Sequence, residues 1–596
     1  MHSLSFKLLC LTGVAFVFFL LYTFTAAGTI QGLDSGEYVT VAVSGGIAHP
    51  PGYPLYTLVC RAAQKLIPFG NPVYRGSLVS ALAGACTLFL ISLTAVVISG
   101  SIIHGIVCAS LVGFTPLFWT YSTIPEVFTG ATFVFSAVVA GSIRIIVDDR
   151  LKPSWFILLG CAFALGIAHH HTIILSAPII FFAFLHLFRV HGLSKKTLQN
   201  TALFCIFSLL GFVPYLILIG RSGSWTWGTI NSLHDLADHF LRKEYGTFSL
   251  SKGKLSAGIT ENVRMFFSVF VRQFSIPIVL AFLASVVFFK SLPRRVFQIQ
   301  ISLLSTFIFA GPLFAVAMKV KPVGFTRFIV ERFYLAPFVI ASIAISTSMY
   351  FAAQHFFNRQ LKTILLLALA AIGCSNGIGQ VRSSHWTLLQ DYVKNCFAVI
   401  PHRSIVMLSS DSEFGGFLYM QEVQKLRTDV TVISPPLLRK TWYCRLLQKK
   451  HPDLELNAEQ FKIQPDETNI ALVNALNPSW PLFLTPSFEN NKGIRLYFKK
   501  ILPFKAVLLK IAQYDTGKID LPSLEKELLH SFKQCTINSF PRSEKEAESR
   551  VEYDVYLNYG RTLHFLGDLY EENGALQDSR RCKTYALKMA EPWLKQ

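Results

Sequence analysis

Two carboxylates and a histidine stand close together just after the first long apolar segment. They lie in Gly32-Leu33-Asp34-Ser35-Gly36-Glu37-Tyr38 and in Gly46-Ile47-Ala48-His49-Pro50-Pro51-Gly52-Tyr53-Pro54-Leu55-Tyr56. A carboxylate can take a proton from a hydroxyl, and a histidine can orient or hydrogen-bond a bound group. At the edge of a membrane, charged side chains cost several kcal/mol unless they are paired or face water. An acidic cluster there therefore points to a functional site. Pro50, Pro51 and Pro54 with Gly52 exclude a regular helix, because each proline removes a donor and fixes φ. The segment reads as a stiff, sharply turned loop that holds Asp34 and His49. A simpler reading makes Asp34 a helix cap. That reading leaves Glu37, His49 and the proline brace unexplained.

The elements that must position this loop are membrane helices. The chain has 596 residues, 52% hydrophobic, 13% aromatic and 15% charged. A water-soluble domain averages about 25% charged. The net charge is +20. Its basic residues gather at the ends of apolar runs, so anionic lipid headgroups or a lipid phosphate suit it better than nucleic acid. The cysteines show no Cys-x-x-Cys or Cys/His spacing, so neither zinc nor a disulfide framework is expected.

Apolar runs of spanning length fall near 8–27, 77–98, 101–119, 127–147, 155–170, 172–190, 201–220, 268–289, 299–317, 332–352 and 362–380, about eleven helices. The first is read as a retained helix rather than a cleaved leader. Short loops carrying Arg150, Lys152, Lys195, Lys196, Lys290, Arg294, Arg295, Arg359 and Lys362 belong in the cytoplasm by the positive-inside tendency. Loops 28–76, 221–267 and 318–331, and everything after about 381, then fall on the opposite face. The expected division is a membrane domain over 1–381, an α/β domain over 382–520 and a helical segment, partly like a tetratricopeptide repeat, over 521–596.

Several features converge on that outer face. Glu126 opens a helix in Pro125-Glu126-Val127-Phe128, where a helix-dipole contact would also explain it. Gly166-Ile167-Ala168-His169-His170-His171 ends another helix. Adjacent histidines point in different directions, so contact with a phosphate suits one of them better than a metal does. Arg242, Lys243 and Tyr245 lie in a loop too long for a simple connector. Arg327 and Glu331-Arg332-Phe333 precede a span, with Glu331 and Arg332 readable as an ion pair. Lys319, Lys321, Arg327 and Arg332 break the charge rule for an outer face, which suggests an anionic ligand. In the tail, a strand over 402–408, a helix over 414–426 and a strand over 429–433 make a βαβ pattern, with Asp411 as helix cap. No glycine-rich phosphate loop joins them.

Transfer of a sugar from a polyprenyl-phosphate carrier fits these features. The carrier's head group lies at the membrane edge, and its departing phosphate is an anion that Arg or Lys would stabilise. One base suffices for inversion, and no cofactor is required. A transferase acting on a glycolipid or envelope glycan is one alternative. A transporter, flippase or scaffold is another, although no paired half-repeats are visible.

The runs Asp34-Ser35-Gly36-Glu37, Gly46 to Leu55, Pro125-Glu126-Val127, Arg242-Lys243-Glu244-Tyr245-Gly246, Glu331-Arg332-Phe333 and Tyr419-Met420-Gln421-Glu422-Val423 with Arg427 and Asp429 resemble the transmembrane protein 260 family, also called glycosyltransferase family 117. The resemblance implies a polytopic helical C-type glycosyltransferase fold. For animal members it implies protein O-mannosylation from dolichyl-phosphate mannose. It also implies that Asp34, in the first outer loop, is the catalytic base. Related protein mannosyltransferases use an adjacent Asp-Glu pair, whereas Asp34 and Glu37 are three apart. On this basis Glu37 is assigned with Asp34 to catalysis, and His49 and Tyr53 to the bound sugar or acceptor. Arg75, Arg327 and Arg332 are assigned to the carrier phosphate, and Glu126, His169, His170, Arg242, Lys243 and Tyr245 to the donor cleft. The expected partners are a polyprenyl or dolichyl phosphate sugar, a protein or glycan acceptor and membrane lipids, without nucleic acid. The expected location is a bacterial inner membrane or the endoplasmic reticulum, with the site on the periplasmic or lumenal side.

Overall fold

The computed structural model describes residues 4–247, 258–287, 292–321, 326–356, 387–461, 465–490, 501–511, 519–538 and 553–587, with single positions at 358, 360, 368, 371 and 494. In hydrocarbon a backbone must bond to itself, so long apolar runs become helices. Among the described residues, eight helical segments are long and apolar enough to cross a membrane. They are Leu4–Phe24, Pro72–Ser99, Val127–Val147, His171–His191, Lys195–Leu218, Ile259–Leu280, Arg294–Ala317 and Thr326–Gln354. Pro153–His169 is a shorter apolar helix. The straight span expected over 101–119 is instead a broken pair, Ile102–Gly113 and Pro116–Thr123, bent by 77°. Pro116 supplies the reason, since it has no N–H to continue the first helix and favours starting a second. The expected span over 362–380 lies outside the described residues but for two single positions.

The chain forms two compact units. The first comprises Met1–Gly28, Ala48–Arg221 and Ile230–His385, and the second Thr29–Ile47, Ser222–Thr229 and Trp386–Gln596. The segment 28–76 is thus divided, with Asp34 and Glu37 in the second unit and His49 in the first.

In the first unit, helix Val127–Val147 packs on Pro72–Ser99 and on Pro153–His169. Helix Pro72–Ser99 begins cleanly because the Asn71 side chain accepts from the Tyr74 N–H at 2.9 Å and Pro72 needs no partner. Some polar groups inside the first unit are paired, as burial favours. Tyr22 donates to the Gly113 carbonyl at 2.7 Å, and Trp119 Nε1 donates to Thr25 Oγ1 at 2.9 Å.

The second unit contains a five-stranded sheet. Its strands are β1 (Ile405–Met407), β2 (Thr431–Ile433), β3 (Leu482–Leu484), β4 (Ile501–Phe504) and β5 (Leu508–Ile511), in the order β2-β1-β3-β5-β4. β1 lies parallel to β2 and β3, whereas β5 runs antiparallel to β3 and β4. Helix Asp411–Glu422 connects β1 to β2 in the βαβ arrangement expected from sequence. The cap of that helix is Ser410, not Asp411. Its hydroxyl accepts from the Glu413 N–H, and Glu413 Oε2 accepts from the Ser410 N–H, both at 3.3 Å. This reciprocal pair satisfies two donors that a cap at Asp411 would leave open. Near the C-terminus, helices Tyr553–Glu572 and Leu576–Leu587 form a hairpin.

Candidate active site

In the second unit, Asp34 immediately precedes helix Ser35–Ser44. The chain enters through Leu33 at φ 62°, in the left-handed region. The Ser35 hydroxyl closes this turn, donating to the Gln31 carbonyl at 2.5 Å and accepting from the Gln31 N–H at 3.0 Å. Asp34 occupies the cap position, but its carboxylate makes no cap hydrogen bond. The helix start therefore does not account for an aspartate. Glu37 follows one turn later and is buried.

The same unit grips both ends of this helix. The Leu33 N–H donates to Ser412 Oγ at 3.0 Å. A Cβ on Gly36 would lie 2.2 Å from the Gly415 carbonyl oxygen, so only glycine allows this approach. At the far end, a Cβ on Gly46 would meet the Trp225 carbonyl, and the Trp227 N–H donates to the Ile47 carbonyl at 2.9 Å. Trp225 in turn packs edge-on against Phe414 at 5.4 Å.

In the first unit, the proline-rich loop begins a second constellation. The Pro50–Pro51 peptide is cis, and Tyr53 has φ 45° just before helix Pro54–Leu66. Tyr53 Oη lies 3.1 Å from His49 Nε2. Its ring stacks on His170, with centroids 5.4 Å apart. His170 also packs against Phe128 at 5.3 Å and Phe333 at 6.1 Å, while its Nδ1 accepts from the Thr172 N–H at 3.1 Å. Arg332 covers the Phe128 ring at 4.7 Å and places Nη1 4.0 Å from Oε1 of the fully buried Glu126. A cation over an aromatic face gains from the ring quadrupole.

His49, Tyr53, His170, Glu126 and Arg332 are thus joined in one chain of contacts. His169 flanks it, with Nε2 2.8 Å from the Val127 carbonyl and its ring edge-on to Tyr56. The other assigned cations have separate partners. Arg75 donates to the carbonyls of Phe69 and Gln64, both at 3.1 Å. Arg327 pairs with Glu331 at 2.6 Å, and Arg272 reaches the same carboxylate at 2.8 Å. Glu331 therefore serves those two arginines, and the expected pairing of Glu331 with Arg332 gives way to Glu126. Arg242, at φ 52°, lies over the Tyr245 ring at 5.3 Å, and Lys243 pairs with Asp238.

Sequence reasoning missed several contributors. His239 approaches the Ala48 carbonyl through Nε2 at 3.2 Å and bounds the proline-rich loop. Burial pushes its imidazole down to about 4. Phe128 and Phe333 were visible only as neighbours of Glu126 and Arg332. Arg272, a lone arginine in an apolar run, was the one legible signal for a partner of Glu331.

Residues 34–192 match the family model described as the Protein O-mannosyl-transferase TMEM260 N-terminal domain. This stretch is similar to that TMEM260 domain. The resemblance read from the motifs holds, and the match begins at Asp34. The mouse Protein O-mannosyl-transferase TMEM260 is 26% identical over 461 residues, covering 74% of this chain and 64% of that relative. The corresponding TMEM260 protein of Dictyostelium discoideum is 24% identical over 475 residues, covering 71% and 57%. The chain therefore spans less than two thirds of the length of these curated TMEM260 relatives. The crystal structure of ArnT from Cupriavidus metallidurans bound to undecaprenyl phosphate superposes with a TM-score of 0.52 at 11% identity. It covers 87% of this chain and 100% of ArnT. The C-type glycosyltransferase fold is shared, and the chain is an integral multi-pass membrane protein.

Proposed function

We propose that this protein is an inverting membrane glycosyltransferase. It moves a hexose such as mannose from a polyprenyl or dolichyl phosphate to a hydroxyl, with protein Ser/Thr as the acceptor class, on the non-cytoplasmic face. The observation that carries this reading is the match of residues 34–192 to a domain named for O-mannosyl transfer. The fold it shares with ArnT adds support.

Asp34 accepts the proton of the incoming hydroxyl. The hydroxyl oxygen forms a bond to the sugar C1 while the bond from C1 to the phosphate oxygen breaks. The lipid phosphate leaves with its electron pair, and its charge needs cations, for which Arg332 is our candidate. Glu37 is the candidate partner of the base, and His49, Tyr53 and His170 are the candidates for contact with the sugar. Arg75, Arg327, Arg242, Lys243 and Tyr245 remain candidates for the donor's approach, although each is engaged elsewhere as described. No metal or organic cofactor enters these steps.

The test incubates the purified full chain in detergent with radiolabelled polyprenyl-phosphate mannose or glucose and follows sugar release and transfer. Turnover without any ion gradient is expected. Asp34→Asn should lower the rate by about a hundredfold to ten-thousandfold while leaving the protein folded. Undiminished turnover by Asp34→Asn would remove the base assignment. Absence of wild-type turnover with either donor would sink the transferase reading. Mass spectrometry of glycopeptides and glycolipids from cells with and without the gene separates a protein acceptor from a lipid or glycan one.

A further inference from the structure

The helix bearing Asp34 packs against helix Asp411–Glu422, and the two share one compact unit. We infer that Ser412 and the Gly36–Gly415 contact are positioning elements for Asp34, so that the C-terminal α/β region sets the geometry of the base. This rests on the assignment of Asp34 as base.

Three observations carry it. The Leu33 N–H, one residue before Asp34, donates to the fully buried Ser412 Oγ at 3.0 Å. Leu33 is itself in the left-handed region, so an outside partner has reason to hold it there. Gly36, two residues after Asp34, is pressed against the Gly415 backbone. Asp34 is thus fixed from both sides by one helix turn, while its own carboxylate is not used to cap the helix.

The supporting turn is anchored in its own right. Glu413, between Ser412 and the glycine contact, is fully buried. Its carboxylate accepts from Thr485 Oγ1 at 2.9 Å, Ser487 Oγ at 3.0 Å and Asn558 Nδ2 at 2.6 Å. It also accepts from the Ser409 N–H at 2.9 Å. Thr485 and Ser487 follow β3, Ser409 follows β1, and Asn558 lies on helix Tyr553–Glu572. The position of Ser412 is therefore tied to the sheet and the C-terminal hairpin. Ser412 does not touch the reacting atoms; it acts through the Leu33–Asp34 backbone.

The test measures turnover of radiolabelled polyprenyl-phosphate mannose by full-length variants in detergent. Ser412→Ala should lower kcat about tenfold, and Gly36→Ala about a hundredfold, as for a small displacement of a reacting group. Donor KM should stay within about twofold. Ser412→Thr keeps the hydroxyl and should restore most of the rate. Gly415→Ala should lose less than Gly36→Ala, because its added carbon would have ordinary neighbours no closer than 3.5 Å.

The decisive arm combines Ser412→Ala with Asp34→Asn. If Ser412 acts through Asp34, the double variant is no slower than Asp34→Asn alone. An equal further loss in that background would mark Ser412 as merely structural and overturn the inference. Wild-type kcat in both Ser412→Ala and Gly36→Ala, with Asp34→Asn inactive, would overturn it too while leaving the base assignment standing. Amide exchange over residues 31–37 gives a readout independent of the base assignment. It should rise in Ser412→Ala and not in Ser412→Thr, and unchanged exchange in Ser412→Ala counts against the inference.

Discussion

Tyr53 stacks on His170 with centroids 5.4 Å apart, while its hydroxyl lies 3.1 Å from His49. One side chain thus connects the proline-rich loop to the break between helices Pro153–His169 and Ala177–His191. Tyr53→Phe keeps the stack and loses the hydrogen bond, which should cost about 1 kcal/mol. Tyr53→Ala loses both and should cost about 3 kcal/mol or more. Thermal unfolding in detergent measures the two, and equal losses would refute a role for the stack.

Arg332 tests the electrostatic part of the proposal. Arg332→Lys keeps the charge but loses the planar contact with Phe128, so turnover should fall about tenfold. Arg332→Ala should fall further, by roughly a hundredfold to a thousandfold, if the group stabilises departing phosphate. Parallel kinetics at varied donor concentration would expose a pure binding effect as a rise in KM alone.

Glu413 is predicted to be a stability residue. Glu413→Ala leaves the Thr485, Ser487 and Asn558 groups without their shared carboxylate in a buried place. A loss of about 3 kcal/mol or more is expected, read as a lower unfolding temperature. A shift below about 1 kcal/mol would mean that the network relaxes without it.

His239 gives a pH signature. Its folded value is pushed down to about 4 by burial, below the ordinary value near 6.5. Between those values the unfolded chain holds more protons than the folded one. Stability should therefore rise with pH from about 4 to about 6.5, by at most about 1.4 kcal/mol per pH unit, and then level off. His239→Gln should remove that share of the slope in detergent melts. An unchanged slope would assign the pH dependence to other groups.

The sequence exposed what is periodic or local. Long apolar runs located the spans, and the proline-rich block predicted the turn around Tyr53. Short apolar, β-prone runs around Val406 and Val432, flanking a helical stretch, revealed the βαβ unit. What stayed hidden depends on contacts distant in sequence. Nothing near Arg332 indicates that its carboxylate is Glu126 rather than the adjacent Glu331. The bend between Gly113 and Pro116 was masked by uninterrupted hydropathy, since a proline at a helix start looks the same in a straight run. Glu413 was overlooked because a capping-box glutamate has a sufficient local explanation, whereas its bonds to Ser487 and Asn558 become visible only in three dimensions.

The Leu33–Ser412 hydrogen bond joins residues 379 positions apart. At about 5–20 residues per second, a ribosome needs roughly 20 to 75 s to travel between them. During that interval the segment around Asp34 has emerged without the surface that seats Gly36. On the proposed reading of Asp34 as base, the nascent chain gains a seated base only once its last third has been made, and a truncation before Asp411 should give an inserted chain without transfer activity.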